Sequence, residues 1–289
     1  MSSKKITKLV VPCAGMGTRF LPITKSLPKE LLPIIDTPVL QYIVDEAVAS
    51  GITDILLIIN QSKLSIKHFF SRDNNIEAKL LDAGKTKEAE LLKKLNNTVN
   101  FSFEYQEVPK GSGDAVLYAK NFVGKDAFAL AWGDDLMISH EPVIGQLATA
   151  YDKYGTSILG VQQVLTDDIV KYGVPAISKQ EGKSCLCTEI IEKPPLDKIA
   201  SRFASLGRYI LHNEIFDEIV NSRDQNTANE LHLTTALNSL AKKERLWTYD
   251  FEGTRFDMGD KFGALKANIY LGKQRFGKEL DNYMKTIID

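Results

Sequence analysis

The chain has 289 residues, 44% hydrophobic and 25% charged, a composition that suits a globular protein with a core of normal size. A net charge of −1 leaves no global basic footprint for nucleic acid, and no run of about 20 apolar residues exists to span a membrane. The three cysteines form no disulfide or metal-ligand pattern, and residues 1–8 (MSSKKITK) lack the apolar stretch of a signal peptide, so the expected location is the cytoplasm.

In chain order, Leu9 to Val11 reads as a buried strand that stops at Gly15 and Gly17. Thr37 and Pro38 read as N-cap and first residue of a helix running to Ser50, followed by a strand from Asp54 to Ile59. Residues 62–98 are highly charged and show two helical patterns, at 62–72 and 85–96, which predicts a helical excursion between sheet strands. A strand at 101–107, a helix at 112–120 and an apolar strand at 128–132 lead to the turn Gly133-Asp134-Asp135. The second half predicts strands at 157–164, 174–177, 186–191, 206–211 and 246–251, with helices near 214–221, 231–243 and 261–273. Such alternation predicts a mixed, mostly parallel central sheet flanked by helices, with ligands gathering at the carboxyl ends of the strands.

The loop after the first strand carries the clearest chemistry. Gly15 and Gly17 free backbone N–H groups, and Arg19, Lys25 and Lys29 add positive charge, a combination suited to a polyphosphate. The segment is not a Walker A loop, because G-x-x-x-x-G-K-[ST] is absent. Nor is it a dinucleotide fingerprint, because the third glycine is missing and Pro22, Pro28 and Pro33 forbid one continuous helix. This disfavours an NAD-dependent oxidoreductase. Arg19 can fork onto phosphate oxygens at any working pH, whereas Lys25 reads equally as a solvated surface lysine. Asp134, in a tight turn after an apolar strand, is a candidate Mg²⁺ ligand, and alternation along the turn points Asp135 elsewhere. The histidines are scattered, and Cys13, Cys185 and Cys187 read as packing.

Residues 11–33, VPCAGMGTRFLPITKSLPKELLP, resemble the signature of the sugar-nucleotide pyrophosphorylases, in the form typical of bacterial UTP–glucose-1-phosphate uridylyltransferases. The likeness continues in order through residues 106–115, 133–136, 172–173, 192–194, 207–209 and 251–260, across nearly the whole chain. It implies a Rossmann-like nucleotidyltransferase fold forming a single catalytic domain over 1–273. The nucleotide half is expected at about 1–155, the sugar half at about 156–273, the helical insertion at about 62–98 and a C-terminal helical tail at 274–289. It also implies transfer of the uridylyl group of UTP to glucose-1-phosphate with Mg²⁺, giving UDP-glucose and pyrophosphate, in a homodimer or homotetramer.

By the same resemblance Arg19 and Lys29 are catalytic cations. Ala14, Gly15, Gly17, Thr18, Glu30, Gln106 and Gly111 bind the nucleotide, the amide of Gln106 matching the base edge and Gly111 letting backbone approach the ring. Gly173, Glu192 and Lys193 hold the sugar phosphate, and Asp134 with Asp257 the metal. Asp257 reads alternatively as a charge at a helix N-terminus, and Glu192-Lys193 as an exposed strand-end pair. The chain departs from the family where Cys13 and Asp114 replace the common Ala and His, where Trp132 precedes the Gly-Asp-Asp turn, and at Thr235. Uracil and thymine differ by one methyl, worth only ~1–3 kcal/mol, which leaves dTTP open as a substrate. A non-catalytic sugar-nucleotide-binding regulator is the alternative of a different class.

Overall fold

The computed structural model describes residues 5–96, 99–222 and 230–287. The end of the expected insertion (97–98) and of the expected tail (288–289) lie outside them. The strands are β1 (Lys8–Pro12), β2 (Pro33–Ile34), β3 (Thr37–Pro38), β4 (Asp54–Ile59), β5 (Asn100–Tyr105), β6 (Phe128–Ala131) and β7 (Asp135–Ile138). They continue as β8 (Ser157–Gln163), β9 (Gly173–Glu181), β10 (Ser184–Glu192), β11 (Phe203–Leu211), β12 (Leu246–Asp250) and β13 (Thr254–Asp257).

Nine of these form one sheet in the order β5-β4-β1-β6-β11-β8-β12-β10-β9. Neighbouring strands pair in parallel from β5 to β6 and again at β8–β12, so only β10 and β11 run against the rest. The sheet is therefore mixed and mostly parallel. Both faces are buried, and the strands show it by alternation. Leu9 and Val11 of β1 and Ile55, Leu57 and Ile59 of β4 join one core; Val10, Leu56 and Ile58 join the other.

The first core is covered by α1 (Val39–Ala49) and, later in the chain, by two helices given below. Between β4 and β5 lie three helices rather than two: α2 (Leu64–Phe69), α3 (Asn74–Asp82) and α4 (Thr86–Asn96). Asp73 caps α3, accepting from the N–H groups of Asn75 and Ile76 at 3.0 and 3.1 Å. The helix expected at 112–120 divides into α5 (Ser112–Leu117) and α6 (Lys120–Val123). The remaining helices are α7 (Val143–Tyr154), α8 (Ile215–Asn221), α9 (Leu233–Lys242), α10 (Lys261–Phe276) and α11 (Lys278–Lys285). The first core is closed by α7 and α10, and the second by α5, α8 and α9. No described helix is long and apolar enough to cross a membrane.

Thr37 and Pro38 do not open the helix as expected. They pair with β2 across a turn at Ile35, whose φ is +61°, and the helix begins at Val39 with Pro38 in the extended N-cap position. The Ile35 N–H is taken by Asn268 Oδ1 of α10 at 2.9 Å, so tertiary pairing overrides local capping. Another side chain completes the sheet where β10 runs on past its β12 partner. Asn238 of α9 both accepts from the Ile190 N–H (2.6 Å) and donates to its carbonyl (2.8 Å), satisfying backbone groups beyond Leu186, the last β10 residue paired with β12.

Candidate active site

The loops after β1, β4, β5 and β6 emerge at the same end of the sheet, the carboxyl ends of its parallel strands. The Cys13 N–H still bonds to Ile58 O at 2.7 Å, and then the chain leaves the sheet. Its departure is held from the β4 side. Asn60 Nδ2 donates to Ala14 O at 2.8 Å, and Lys63 Nζ donates to Cys13 O at 2.6 Å. Beyond this anchor Gly15 and Thr18 are exposed, and Gly17 adopts φ +66° before a short 3₁₀ turn at Thr18–Phe20. The loop thus leaves backbone at Gly15 to Thr18 open to an anion.

Glu30, expected to help position the nucleoside, is paired within the protein. It is 1% exposed, and both its oxygens accept from Lys63 Nζ, at 2.9 and 2.8 Å. Its carboxylate backs the loop through Lys63. Neither Asn60 nor Lys63 was signalled by the sequence, because each sits one loop away from the glycines it supports.

The charged groups converge around Gly259. A Cβ built on this glycine would lie 2.7 Å from Asp134 Oδ2, 3.0 Å from Arg19 Nη2 and 3.1 Å from Asp257 Oδ1. Only a residue without a side chain leaves that space open. Asp134 and Asp257, far apart in sequence, meet because β7 and β13 pair antiparallel with Asp135 opposite Asp257. Two backbone N–H groups fix the arrangement: Met258 N–H donates to the Asp134 carbonyl at 2.8 Å, and Gly259 N–H to the Asp257 side chain at Oδ1, 2.9 Å. Lys29 joins the group, donating from Nζ to Asp134 Oδ2 at 2.5 Å.

Burial alone would raise the Asp134 carboxyl, but the Lys29 ammonium and Arg19 outweigh it and hold it below the usual carboxylate range. For Lys29 burial pulls downward, while Asp134 and Glu30 outweigh it and hold the ammonium above the ordinary lysine value. Two hard carboxylate oxygens facing one gap fit a divalent cation that takes its other ligands from phosphate and water. Among the described residues no group of three or more acidic, histidine or cysteine side chains forms a protein-only cage.

On the base side, Gln106 continues β5, its N–H bonded to Ile59 O at 2.8 Å. Its side-chain Nε2 donates to Asp114 Oδ2 at 2.7 Å. The fold supplies its own reason for glycine at 111, beside the expected close approach to the base. Gly111 has φ +99°, and a Cβ there would lie 2.4 Å from Leu231 O. The position is therefore crowded by the chain entering α9, whatever ligand approaches from the other side.

A cavity of 270 Å³ lies beside the charged cluster. Gly173 and Glu192 line it, with Glu192 accepting from Thr234 Oγ1 at 3.0 Å. Lys193 follows at the rim with an exposed side chain and φ +46°, its N–H bonded to Tyr172 O at 3.1 Å. Asp135 lines this cavity and is joined to the charged cluster through Arg255, whose Nη2 pairs with Asp135 Oδ1 and lies 3.8 Å from Asp257 Oδ2. Arg255 Nε donates to Asp135 Oδ1 at 2.7 Å and Nη1 to Tyr172 Oη at 3.0 Å. Burial pushes the Asp135 carboxyl up despite the guanidinium beside it. Trp132 and Tyr209 also line the cavity and bond to each other through indole N–H and phenol oxygen, at 3.2 Å. Arg255, Tyr209 and Thr234 went unassigned from sequence, although Arg255 and Tyr209 stand inside motif blocks that were legible there.

Residues 8–273 match the family model described as Nucleotidyl transferase. The UTP–glucose-1-phosphate uridylyltransferase YngB of Bacillus subtilis is 41% identical over 287 residues, covering 99% of this chain and 96% of its own. A Staphylococcus epidermidis UTP–glucose-1-phosphate uridylyltransferase is 40% identical over 266 residues, 92% of each chain. Among solved structures, a UTP-bound enzyme of the same kind from Acinetobacter baumannii superposes with a TM-score of 0.87 at 33% identity, covering 98% of both chains. A UDP-glucose pyrophosphorylase complexed with UDP-glucose gives 0.84 at 34% identity, covering 93% of this chain and 99% of that one. The chain belongs to the nucleotidyl transferase family, in its UTP–glucose-1-phosphate uridylyltransferase group.

Proposed function

We propose that this chain transfers the uridylyl group of UTP to glucose-1-phosphate, releasing pyrophosphate and forming UDP-glucose. The observation that carries the reading is the convergence of Arg19, Lys29, Asp134 and Asp257 beside a cavity large enough for a sugar. A sugar-phosphate oxygen attacks the α-phosphorus in line, and pyrophosphate leaves. No covalent enzyme intermediate is needed, so the protein's task is to position two anions and neutralise their charge.

In this reading backbone at Gly15, Gly17 and Thr18 receives the triphosphate, and Arg19 meets the charge that develops on pyrophosphate. Lys29 serves the α-phosphate. Ala14, Gln106 and Gly111 border the base, and Glu30 acts as a positioning residue through Lys63. Gly173 and Glu192 face the sugar, with Lys193 reaching its phosphate from the rim. Asp134 and Asp257 would hold Mg²⁺. Bound there, Mg²⁺ would supply positive charge that lessens the repulsion between the two anionic substrates. The relatives named for this reaction, and the solved relatives holding UTP and UDP-glucose, support the substrate assignment.

The reading extends to a single catalytic domain over 1–273, a cytoplasmic location and a homodimer or homotetramer. Three free cysteines support the location. Exposed Phe262, Leu265, Ile269, Phe276 and Tyr283 on α10 and α11 support the assembly. The deciding assay is pyrophosphate release from glucose-1-phosphate with UTP, dTTP, CTP, ATP and GTP in turn. UTP should be preferred, and chelation should abolish turnover until Mg²⁺ is restored. Absence of UTP turnover with Mg²⁺ would leave the regulator reading in its place.

A further inference from the structure

We infer that Asp114 is a positioning residue for base selection, which fixes the amide of Gln106 so that its oxygen faces the base. The inference rests on the uridylyltransferase reading, in which the Gln106 side chain meets the nucleotide.

Gln106 is 3% exposed, and its only side-chain hydrogen bond among the described residues is the 2.7 Å donation from Nε2 to Asp114 Oδ2. An amide can present its oxygen or its nitrogen in either direction. A carboxylate accepts hydrogen bonds and donates none, so the partner compels the amide to turn nitrogen toward Asp114 and oxygen away from it. Asp114 is itself held in place. It lies in the first turn of α5, where negative charge is stabilised, and the Gly113 N–H beside it bonds to Leu231 O at 2.7 Å. Gln106 is fixed at its backbone by the bond to Ile59. Two anchored elements therefore determine which amide atom is free.

The consequence concerns the pyrimidine edge. Uracil carries a donor at N3, which the free Oε1 can accept. Cytosine carries a lone pair at N3, which would face that same oxygen without a proton between them. A site whose polar group is left unpaired by the wrong ligand discriminates against it more strongly than a site that differs by a methyl group. Asp114 thereby selects uracil and thymine over cytosine while remaining one residue removed from the base.

The test compares kcat/KM for UTP and CTP, each with saturating glucose-1-phosphate, in the full chain and in Asp114→Ala and Asp114→Asn. Asp114→Ala should lower the UTP/CTP ratio about tenfold, the scale of one net hydrogen bond. Asp114→Asn, nearly isosteric, can donate as well as accept, so it should lower the ratio by a smaller factor. KM for glucose-1-phosphate should stay as in the parent. An equal loss for both nucleotides, leaving the ratio unchanged, would show that Asp114 merely supports α5 and would overturn the inference. Should Asp114→Ala fail to fold, an unchanged ratio in Asp114→Asn overturns it equally. Failure of the parent chain to turn over UTP would instead defeat the uridylyltransferase reading.

Discussion

Lys29 Nζ and Asp134 Oδ2 stand 2.5 Å apart, so the cation assigned to phosphate and the carboxylate assigned to metal hold one another before either meets substrate. Each shifts the other in the direction that preserves charge. Asp134 lies below the usual carboxylate range, so its contribution to stability is present above the unfolded-state value and is lost as pH falls through the folded one. Lys29 lies above the ordinary lysine value, so its contribution is present below that value and is lost as pH rises through the folded one. The pair should stay intact from about pH 5 to pH 9. Melting temperatures of the parent and Asp134→Asn should therefore differ by a constant amount across that window, and converge on further acidification. A difference that titrates near neutrality would assign the coupling to another group.

The Lys63–Glu30 pair makes a separate prediction, because it is almost fully buried. Lys63 is 4% exposed and Glu30 1%, and burial pushes the Glu30 carboxyl up even with Lys63 beside it. Lys63→Met should cost about 3–5 kcal/mol in denaturant unfolding, since it strands a carboxylate in the core. Glu30 should then take up a proton on folding. The folded state binds the extra proton, so this variant's stability should fall as pH rises through the range between the unfolded and folded values. Adding Glu30→Leu should restore most of the loss and remove that slope. UTP binding should remain weakened in the double variant, because the Cys13 carbonyl has still lost its anchor. Normal UTP affinity there would remove Lys63 from the support of the loop.

The legible parts of this chain were those with a local signal. Strands such as Asp54–Ile59 announce themselves by apolar runs, and the 11–33 loop by glycines and cations in one stretch. Asp257 was legible only through resemblance, because its position follows from the β7–β13 pairing, which joins segments about 120 residues apart. Lys63 carries no signal in the sequence at all, because its partners Cys13 and Glu30 belong to another loop. The Thr37-Pro38 cap failed because a short strand pairing outweighed a capping preference worth about 1 kcal/mol. Gly111 was identified as a position needing glycine, yet the crowding comes from Leu231, which no local pattern brings near.

The three cysteines should be inert in the folded enzyme. All are buried; burial holds Cys13 well above the ordinary thiol value and pushes Cys187 up to about 12. Thiolate is the reactive form, so alkylation by iodoacetamide at pH 8 should be slow in the native state and prompt after denaturation. Cys13→Ala should keep near-normal kcat, despite its place at the root of the phosphate loop. Rapid native labelling at Cys13, or loss of turnover in Cys13→Ala with the fold intact, would give that thiol a chemical role.

Lys29 and Lys193 should divide their labour between the two substrates. Lys29 is tied into the cluster with Asp134, Arg19 and Asp257, the reacting centre in the proposed function. Lys193 follows Glu192 of the cavity proposed for the sugar, in a left-handed backbone conformation that costs a non-glycine residue about 1–3 kcal/mol. Its N–H bond to Tyr172 links it to the residue that also receives Arg255. Lys29→Ala should depress kcat by ~10²-fold or more, as expected for loss of an electrostatic stabiliser at the reacting centre. Lys193→Ala should chiefly raise KM for glucose-1-phosphate, with UTP binding by calorimetry nearly unchanged. Lys193→Gly offers a control, since it relieves the backbone strain while removing the same charge. It should match Lys193→Ala in kinetics and exceed it in stability. A Lys193→Ala enzyme that lost UTP affinity but bound glucose-1-phosphate normally would reverse the assignment of the two lysines.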